Sequence, residues 1–244
     1  MPEVDIIFFT LLAIVAFLYA SVGHGGASGY LALMVFYSFS PETMRPAALI
    51  LNIGVSLVSF IQFYKHGYFS WKLFWPFALA SIPAAYIGGL MQINATTYKP
   101  ILGVLLLFPV IRLFGFSPKN EETLKDQNLL VSIVIGATIG FLSGIIGIGG
   151  GIILSPVILL LHWAKMKQTA AVSALFIFVN SLAGLAGIIS NGINLSNEIW
   201  LMIVLALTGG LIGAFFGAKH LENNWLKKIL AFVLLIASVK LILT

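Results

Sequence analysis

The residues best placed to do chemistry lie in two glycine-rich breaks, Gly23-His24-Gly25-Gly26 and Gly147-Ile148-Gly149-Gly150-Gly151, each inside an otherwise apolar stretch. Glycine weakens a helix by freeing its backbone. The legs that restart near Ala27 and Ile152 should therefore present unpaired N–H groups and the positive end of a helix dipole, an arrangement that suits an anion. Neither break is followed by the Gly-Lys-Ser/Thr of a phosphate-binding loop, which argues against a nucleotide. His24 is the one ionisable side chain within a break, with Ile148 as its counterpart, and is a candidate for proton coupling. Neutral donors follow: Ser28, Asn52, Ser56, Gln62, Ser143, Ser155, Ser173, Asn180 and Ser181. Asn52 with Ser56 occupies a helix comparable to that of Asn180 with Ser181. The expected substrate site is thus Gly23, His24, Gly25, Gly26, Ser28, Asn52, Ser56, Gly147, Gly149, Gly150, Gly151, Ser173, Asn180 and Ser181. Any one Ser or Asn in this set serves helix–helix hydrogen bonding equally well. Arg45 at one mouth, and Lys165 with Lys167 at the other, form a candidate funnel for anions, although such cations also anchor and orient membrane helices.

These residues need elements to hold them, and the composition says of what kind. The chain has 244 residues, 60% of them hydrophobic and only 9% charged, against about 25% charged in a soluble domain. Its mean hydropathy is +1.06. The expectation is an all-α integral membrane protein embedded in a lipid bilayer, with no nucleic-acid partner. The chain contains no cysteine, so disulfides and thiolate metal sites are excluded, and no metal or cofactor is expected. The acidic N-terminus lacks the basic start of a signal peptide, so the first apolar run should stay in the protein. All eight acids fall in termini or loops, whereas cation carriers place carboxylates within their spans, which disfavours a cation or amino-acid carrier.

Six runs match a membrane-crossing helix of about 20 residues: 46–64, 73–91, 100–115, 170–189, 199–218 and 226–243. Two longer stretches, 5–37 and 129–161, contain the breaks and read as two legs joined by an unwound turn. An offset of 124 places Gly23, Gly25 and Gly26 on Gly147, Gly149 and Gly150; an offset of 129 later places Trp71 on Trp200 and Ala80, Ala84 and Gly88 on Gly209, Gly213 and Gly217. The halves are then a first repeat at 1–116, a polar linker at 117–128 and a second repeat at 129–244. The small-residue stripes allow close helix approach, within the chain or in a homodimer. If each broken stretch returns to the side it left, Lys65, Lys72, Arg112, Lys119, Lys125, Lys165, Lys167, Lys219, Lys227 and Lys228 share one side, and Arg45, Lys99 and Lys240 the other. That bias is what the positive-inside rule expects. Each half is then a glycine-broken re-entrant hairpin plus three transmembrane helices, the halves are inverted repeats, and both termini lie outside the cell membrane. A first leg that crosses fully, with a short second leg returning, leaves this topology unchanged. Tryptophans at the span ends and His66, His162 and His220 read as interfacial.

Two further readings deserve comparison. Gly26-Ala27-Ser28-Gly29 satisfies the short Gly-x-Ser-Gly pattern of rhomboid-type intramembrane proteases, but His24 could reach Ser28 only across a helical turn that the glycines oppose. An accessory subunit that transports nothing is the other. The doubled glycine breaks, Ser143-Gly144-x-x-Gly147-x-Gly149-Gly150-Gly151 followed by Pro156, and more weakly Ala171-Val172-Ser173 and Asn180-Ser181, resemble the sulfite exporter TauE/SafE family over nearly the whole chain. The resemblance implies a secondary transporter of small anions, sulfite or organosulfonates, working as an exporter in the cell inner membrane, and not an enzyme. The first-half motif departs from the family pattern, with His24 inserted and Ala27 in the third place, and Ser173 stands where relatives carry Thr.

Overall fold

The computed structural model describes residues 5–115, 124–193, 198–219 and 224–243. Most of the expected linker, 117–123, lies outside the described residues, as do Glu3, His220 and Glu222; so do the side chains of Arg112, Lys219, Trp225, Lys227 and Lys228. Every element within the described residues is a helix: α1 (Ile6–Ser21), α2 (Ala27–Phe36), α3 (Pro41–Lys65), α4 (Trp71–Leu90), α5 (Ala95–Gly115), α6 (Leu129–Ile146), α7 (Gly151–Leu160), α8 (Met166–Ile189), α9 (Ile199–Lys219) and α10 (Asn224–Leu243). Among the described residues α3, α4, α6, α8 and α9 are long and apolar enough to cross a membrane.

Both long stretches break where the glycines stand. Gly23 and Gly26 have φ of +77° and +98°, and Gly147, Gly149 and Gly150 have +86°, +76° and +77°. An L side chain meets a steric penalty in that region, so glycine makes these turns at the least cost. The legs are unequal. α6 has 18 residues and so rises about 27 Å, whereas α2 and α7 have 10 each and rise about 15 Å, half of a bilayer core.

Each stretch doubles back. The Tyr37 hydroxyl, just past α2, donates to the Asp5 carboxylate that caps α1, 2.8 Å away. At the second stretch the Lys125 N–H, before α6, donates to the His162 carbonyl after α7, at 2.9 Å. The two hairpins open at opposite ends, because α3 and α8 run antiparallel: Gly147 lies on Arg45 near the start of α3, while Gly23 lies on Ala170 near the start of α8.

Small residues bring the long legs against their neighbours. Gly136 and Gly140 of α6 lie on the Phe77 and Ser81 backbone of α4, and Gly209, Gly213 and Gly217 of α9 lie on Ala13, Phe17 and Ser21 of α1. Gly88 meets α6 as the stripe predicts, but Ala80 and Ala84 are only half-buried, and the buried row on α4 is Phe77, Ser81 and Ala85. The packed pairs α4·α6 and α1·α9 exchange when α1–α5 is exchanged with α6–α10, as do α4·α8 and α3·α9. Trp71 and Trp200 face outward, as an interfacial belt requires, but Trp163 turns inward against Phe77.

Candidate functional site

The two breaks meet at the middle of the α3–α8 pair. Asn52, the twelfth residue of the 25-residue α3, is 1% exposed and touches both. Its Oδ1 accepts from the Ala27 N–H at 3.0 Å, and its Nδ2 donates to the Ile148 carbonyl at 3.0 Å and to Ser181 Oγ at 3.5 Å. One amide thus holds the start of α2 to the unwound strand before α7. A Cβ on Gly149 would come within 2.6 Å of Asn52 Nδ2 and 2.8 Å of Ser181 Oγ, so only glycine admits these side chains so close.

Opposite Asn52 stands Ile177 of α8, which contacts the same two glycines, Gly25 and Gly149. Asn180, in the helix comparable to that of Asn52, sits elsewhere: its Nδ2 donates to its own helix at the Phe176 carbonyl, and its Oδ1 is buried with no partner among the described residues. Helix position, not side-chain type, decides which residue faces a break. An offset of 125, which relates the starts of α3 and α8, pairs Asn52 with Ile177 and Ser56 with Ser181.

Tyr19, His24, Gly25, Gly26, Ala27, Ser28, Asn52, Ile148, Ile152 and Ile177 line a cavity of about 10 Å³ between the breaks. That is room for one water and not for a sulfo group. The amides of Ser28 and Gly29 in α2, and of Gly151 and Ile152 in α7, have no hydrogen-bond partner among the described residues. Both short helices therefore direct open N–H groups and positive dipole ends to this centre. Ser28 is bound to the Tyr19 hydroxyl at 2.6 Å, while His24 Nε2 lies 3.1 Å from Ser155, so the Ser28–His24 pair that a serine protease would need does not form.

The remaining expected residues are placed differently. Ser56 is buried and hydrogen-bonds only its own helix, at Ile53. Ser173 lies off the cavity lining and is joined to Ser155 at 2.7 Å. Arg45 is 8% exposed rather than set among lipid headgroups: its Nη1 donates to the Met91 carbonyl at 3.1 Å, and Nη2 to Gly144 at 3.2 Å and Gly88 at 3.5 Å. It neutralises the negative C-terminal ends of α4 and α6. It also lines a cavity of about 580 Å³ with Glu42, Asn94 and Asn191 at the end where α3 begins. Lys165 and Lys167 are exposed at the other end, Lys167 donating to the Tyr68 hydroxyl at 3.1 Å and lying over its ring. Sequence reasoning gave no role to Tyr19 or Ile177, and counted Ser155 among the neutral donors without placing it in the expected site. Only the four-residue spacing of Ser155 from Gly151 hinted that it faces the break.

Comparison with known proteins supplies the family. The profile of the family described as "Sulfite exporter TauE/SafE" matches residues 7–241. A protein of Sinorhizobium fredii described as "Probable membrane transporter protein y4hK" is 38% identical over 235 residues, covering 94% of each chain. Another of Bacillus subtilis, "Probable membrane transporter protein YunE", is 24% identical over 233 residues, covering 85% of this chain and 83% of its own. No solved structure matches. A match over almost the entire length, on a chain whose glycine breaks and apolar helices have just been described, places this multi-pass membrane protein in the sulfite exporter TauE/SafE family, a family of transporters and not enzymes.

Proposed function

We propose that the protein is a secondary transporter that exports small anions, sulfite or organosulfonates, and binds them where α2 and α7 start. The observation that carries this reading is the convergence of two half-helix N-termini on Asn52 at the centre of α3, with the Ser28, Gly29, Gly151 and Ile152 amides open. Discontinuous helices whose positive ends point at an anion near the midplane are the usual site of secondary transporters. The binding residues are the Gly23–Gly26 and Gly147–Gly151 backbones with Ser28, Asn52 and Ser181; His24 is the proton-coupling group. The one-water cavity makes this a closed conformation, and admitting a sulfo group requires the hairpins to part.

Residues 1–116 and 129–244 are read as inverted repeats joined by 117–128. The hairpins that open at opposite ends support it, as does the exchange symmetry of the packed helix pairs. The positive-inside rule then puts Lys65, Lys72, Lys125, Lys165 and Lys167 in the cytoplasm, with both termini and the Arg45 vestibule outside. Lys165 and Lys167 gather anions from the cytoplasm. The glycine stripes pack within the chain, so they lend a homodimer no support. Export follows from charge: each net negative charge leaving a cell gains about 2.3 kcal/mol per 100 mV. Purified protein in vesicles loaded with sulfite or isethionate should release them faster under an inside-negative potential. Release that ignores voltage, or no release of either anion, refutes the reading.

A further inference from the structure

The close helix contacts fall into two groups of three. Gly136, Gly140 and Gly144 of α6 lie on the α4 backbone, and α8 joins this pair where Gly89 of α4 lies on Gly184 and Gly187 lies on Tyr86. In the other group Gly209, Gly213 and Gly217 of α9 lie on the α1 backbone, and α3 joins where Gly54 receives the Leu207 side chain and Gly210 receives Val55. Packing this close leaves little room to slide, so each trio moves as a unit. Between the trios, α3 faces α8 through longer side chains: Leu49 Cδ1 would lie 3.5 Å from a Cβ on Gly184, an ordinary contact distance. The trios also touch toward the two ends of this seam, where Gly147 lies on Arg45 and Gly23 on Ala170.

Arg45 and Ala170 are counterparts at the offset of 125, yet only Arg45 has a side chain able to bind across the seam. Its Nη1 and Nη2 reach the Met91 and Gly88 carbonyls at the end of α4 and the Gly144 carbonyl of α6, which fastens one trio to the other. Ala170 offers a methyl group, and its end of the seam is tied by Lys167 on the Tyr68 hydroxyl, an exposed bond for which water competes. Leu49 and Ala174 are counterparts at the same offset, both 0% exposed. Arg45, Leu49 and Asn52 follow one another at four and three residues, so they share one face of α3, and the way from the Arg45 vestibule to Asn52 passes Leu49.

We propose that Arg45 is the latch of the gate at its own end: the two trios rock about Asn52, and while the latch is fastened the seam opens at the Lys165 end. The inference rests on the transport reading above and adds which parts move and which residue sets the resting side. With the Lys165 end in the cytoplasm, the empty protein waits open to the compartment from which an exporter takes its anion. Opening the other end breaks bonds from a cation to three carbonyls, and charge-assisted bonds are the strong ones. The latch is nevertheless made to open. The Arg45 Nε–H is buried with no partner among the described residues, and the vestibule beside it gives a freed guanidinium access to water. An anion that moves from Asn52 past Leu49 meets that guanidinium and replaces the carbonyls as its acceptor, since the fork of an arginine fits two oxygens of an oxyanion. Cargo thus releases the latch that holds the empty protein shut at this end.

The chain has no cysteine, so single cysteines report cleanly on each gate. Leu49→Cys reports the Arg45 end and Ala174→Cys the Lys165 end. The full chain, purified in detergent without anion, is labelled with a fluorescent maleimide, and each rate is divided by that of the same variant unfolded. With Arg45 in place, Ala174→Cys should label at least tenfold faster than Leu49→Cys. Arg45→Met keeps the stem and loses the donors, so it should speed Leu49→Cys at least tenfold and slow Ala174→Cys; Arg45→Lys should fall between. Arg45→Met that speeds both cysteines, as simple loosening would, or speeds neither, overturns the latch and spares the transport reading. Equal rates at the two sites with Arg45 in place do the same, and that comparison needs no Arg45 variant to fold. Opposite changes at the two sites, in a protein that releases neither sulfite nor isethionate from vesicles, overturn the transport reading instead.

Discussion

Replacing Asn52 by alanine removes the one side chain that holds both breaks. The Ala27 N–H and the Ile148 carbonyl each lose a partner at 3.0 Å, in a position 1% exposed. A buried polar group left unpaired costs about 1–3 kcal/mol, so the two together cost about 2–6 kcal/mol. Interhelical hydrogen bonds inside membranes lie toward the lower end of that scale. Asn180→Ala is the matched control. It deletes an amide that bonds only its own helix and whose oxygen has no partner, so it should cost under about 1 kcal/mol. At about 2–4 °C per kcal/mol for a chain of this size, Asn52→Ala should melt at least about 4 °C below wild type in detergent, with Asn180→Ala within about 4 °C of wild type. Anion efflux should fall with the first substitution and survive the second. Equal melting temperatures for Asn52→Ala and wild type, or an Asn180→Ala loss as large as that of Asn52→Ala, would refute the bridge.

Three other outcomes test the remaining geometry. Gly149→Ala and Gly67→Ala put the same residue at nearly the same φ, +76° and +75°, but nothing lies within 4 Å of the Gly67 site. Both incur about 1–2 kcal/mol of backbone strain, while only Gly149→Ala should abolish efflux, since its Cβ displaces Asn52 and Ser181. Arg45→Lys keeps the charge but cannot serve carbonyls from both α4 and α6 at once, so thermal unfolding should show a loss of about 1–3 kcal/mol; an unchanged midpoint would remove Arg45 from its tie between helices. The Phe8 N–H and then the Tyr37 hydroxyl hold the Asp5 carboxyl below its ordinary range. At acid pH the unfolded chain therefore binds this proton first, and the stabilisation, present above about pH 4, fades as pH falls through the folded value. Asp5→Asn should remove that contribution from the acid limb of a stability–pH curve; because Asp5 is exposed, the change is small.

Much of this architecture is local and hence readable along the chain. Hydropathy over about 20 residues marks the helices, and the glycines at 23–26 and 147–150 mark the turns, because positive φ is a single-residue property. The contacts Asp5–Tyr37 and Lys125–His162 show that each broken stretch doubles back. Legibility failed where a residue's role depends on helix rotation. Consecutive residues point about 100° apart on a helix, so likeness of side chains between Asn52 and Asn180 does not reveal that Ile177, three residues before Asn180, faces the break. Arg45 looked like a surface cation because nothing nearby in sequence hinted at Gly144, 99 residues away, as its partner.

The amino-acid sequence by itself therefore determined that this is a helical membrane protein with two glycine-broken stretches and no carboxylate inside its apolar runs. Only the tertiary structure decided that the breaks converge on Asn52, that Arg45 closes helix ends, and that His24 reaches Ser155 rather than Ser28. The physical reason is range. Hydropathy and backbone strain are summed over neighbours in the chain, whereas a hydrogen bond between residues 96 or 131 positions apart exists only once the helices have packed and set each side chain's direction.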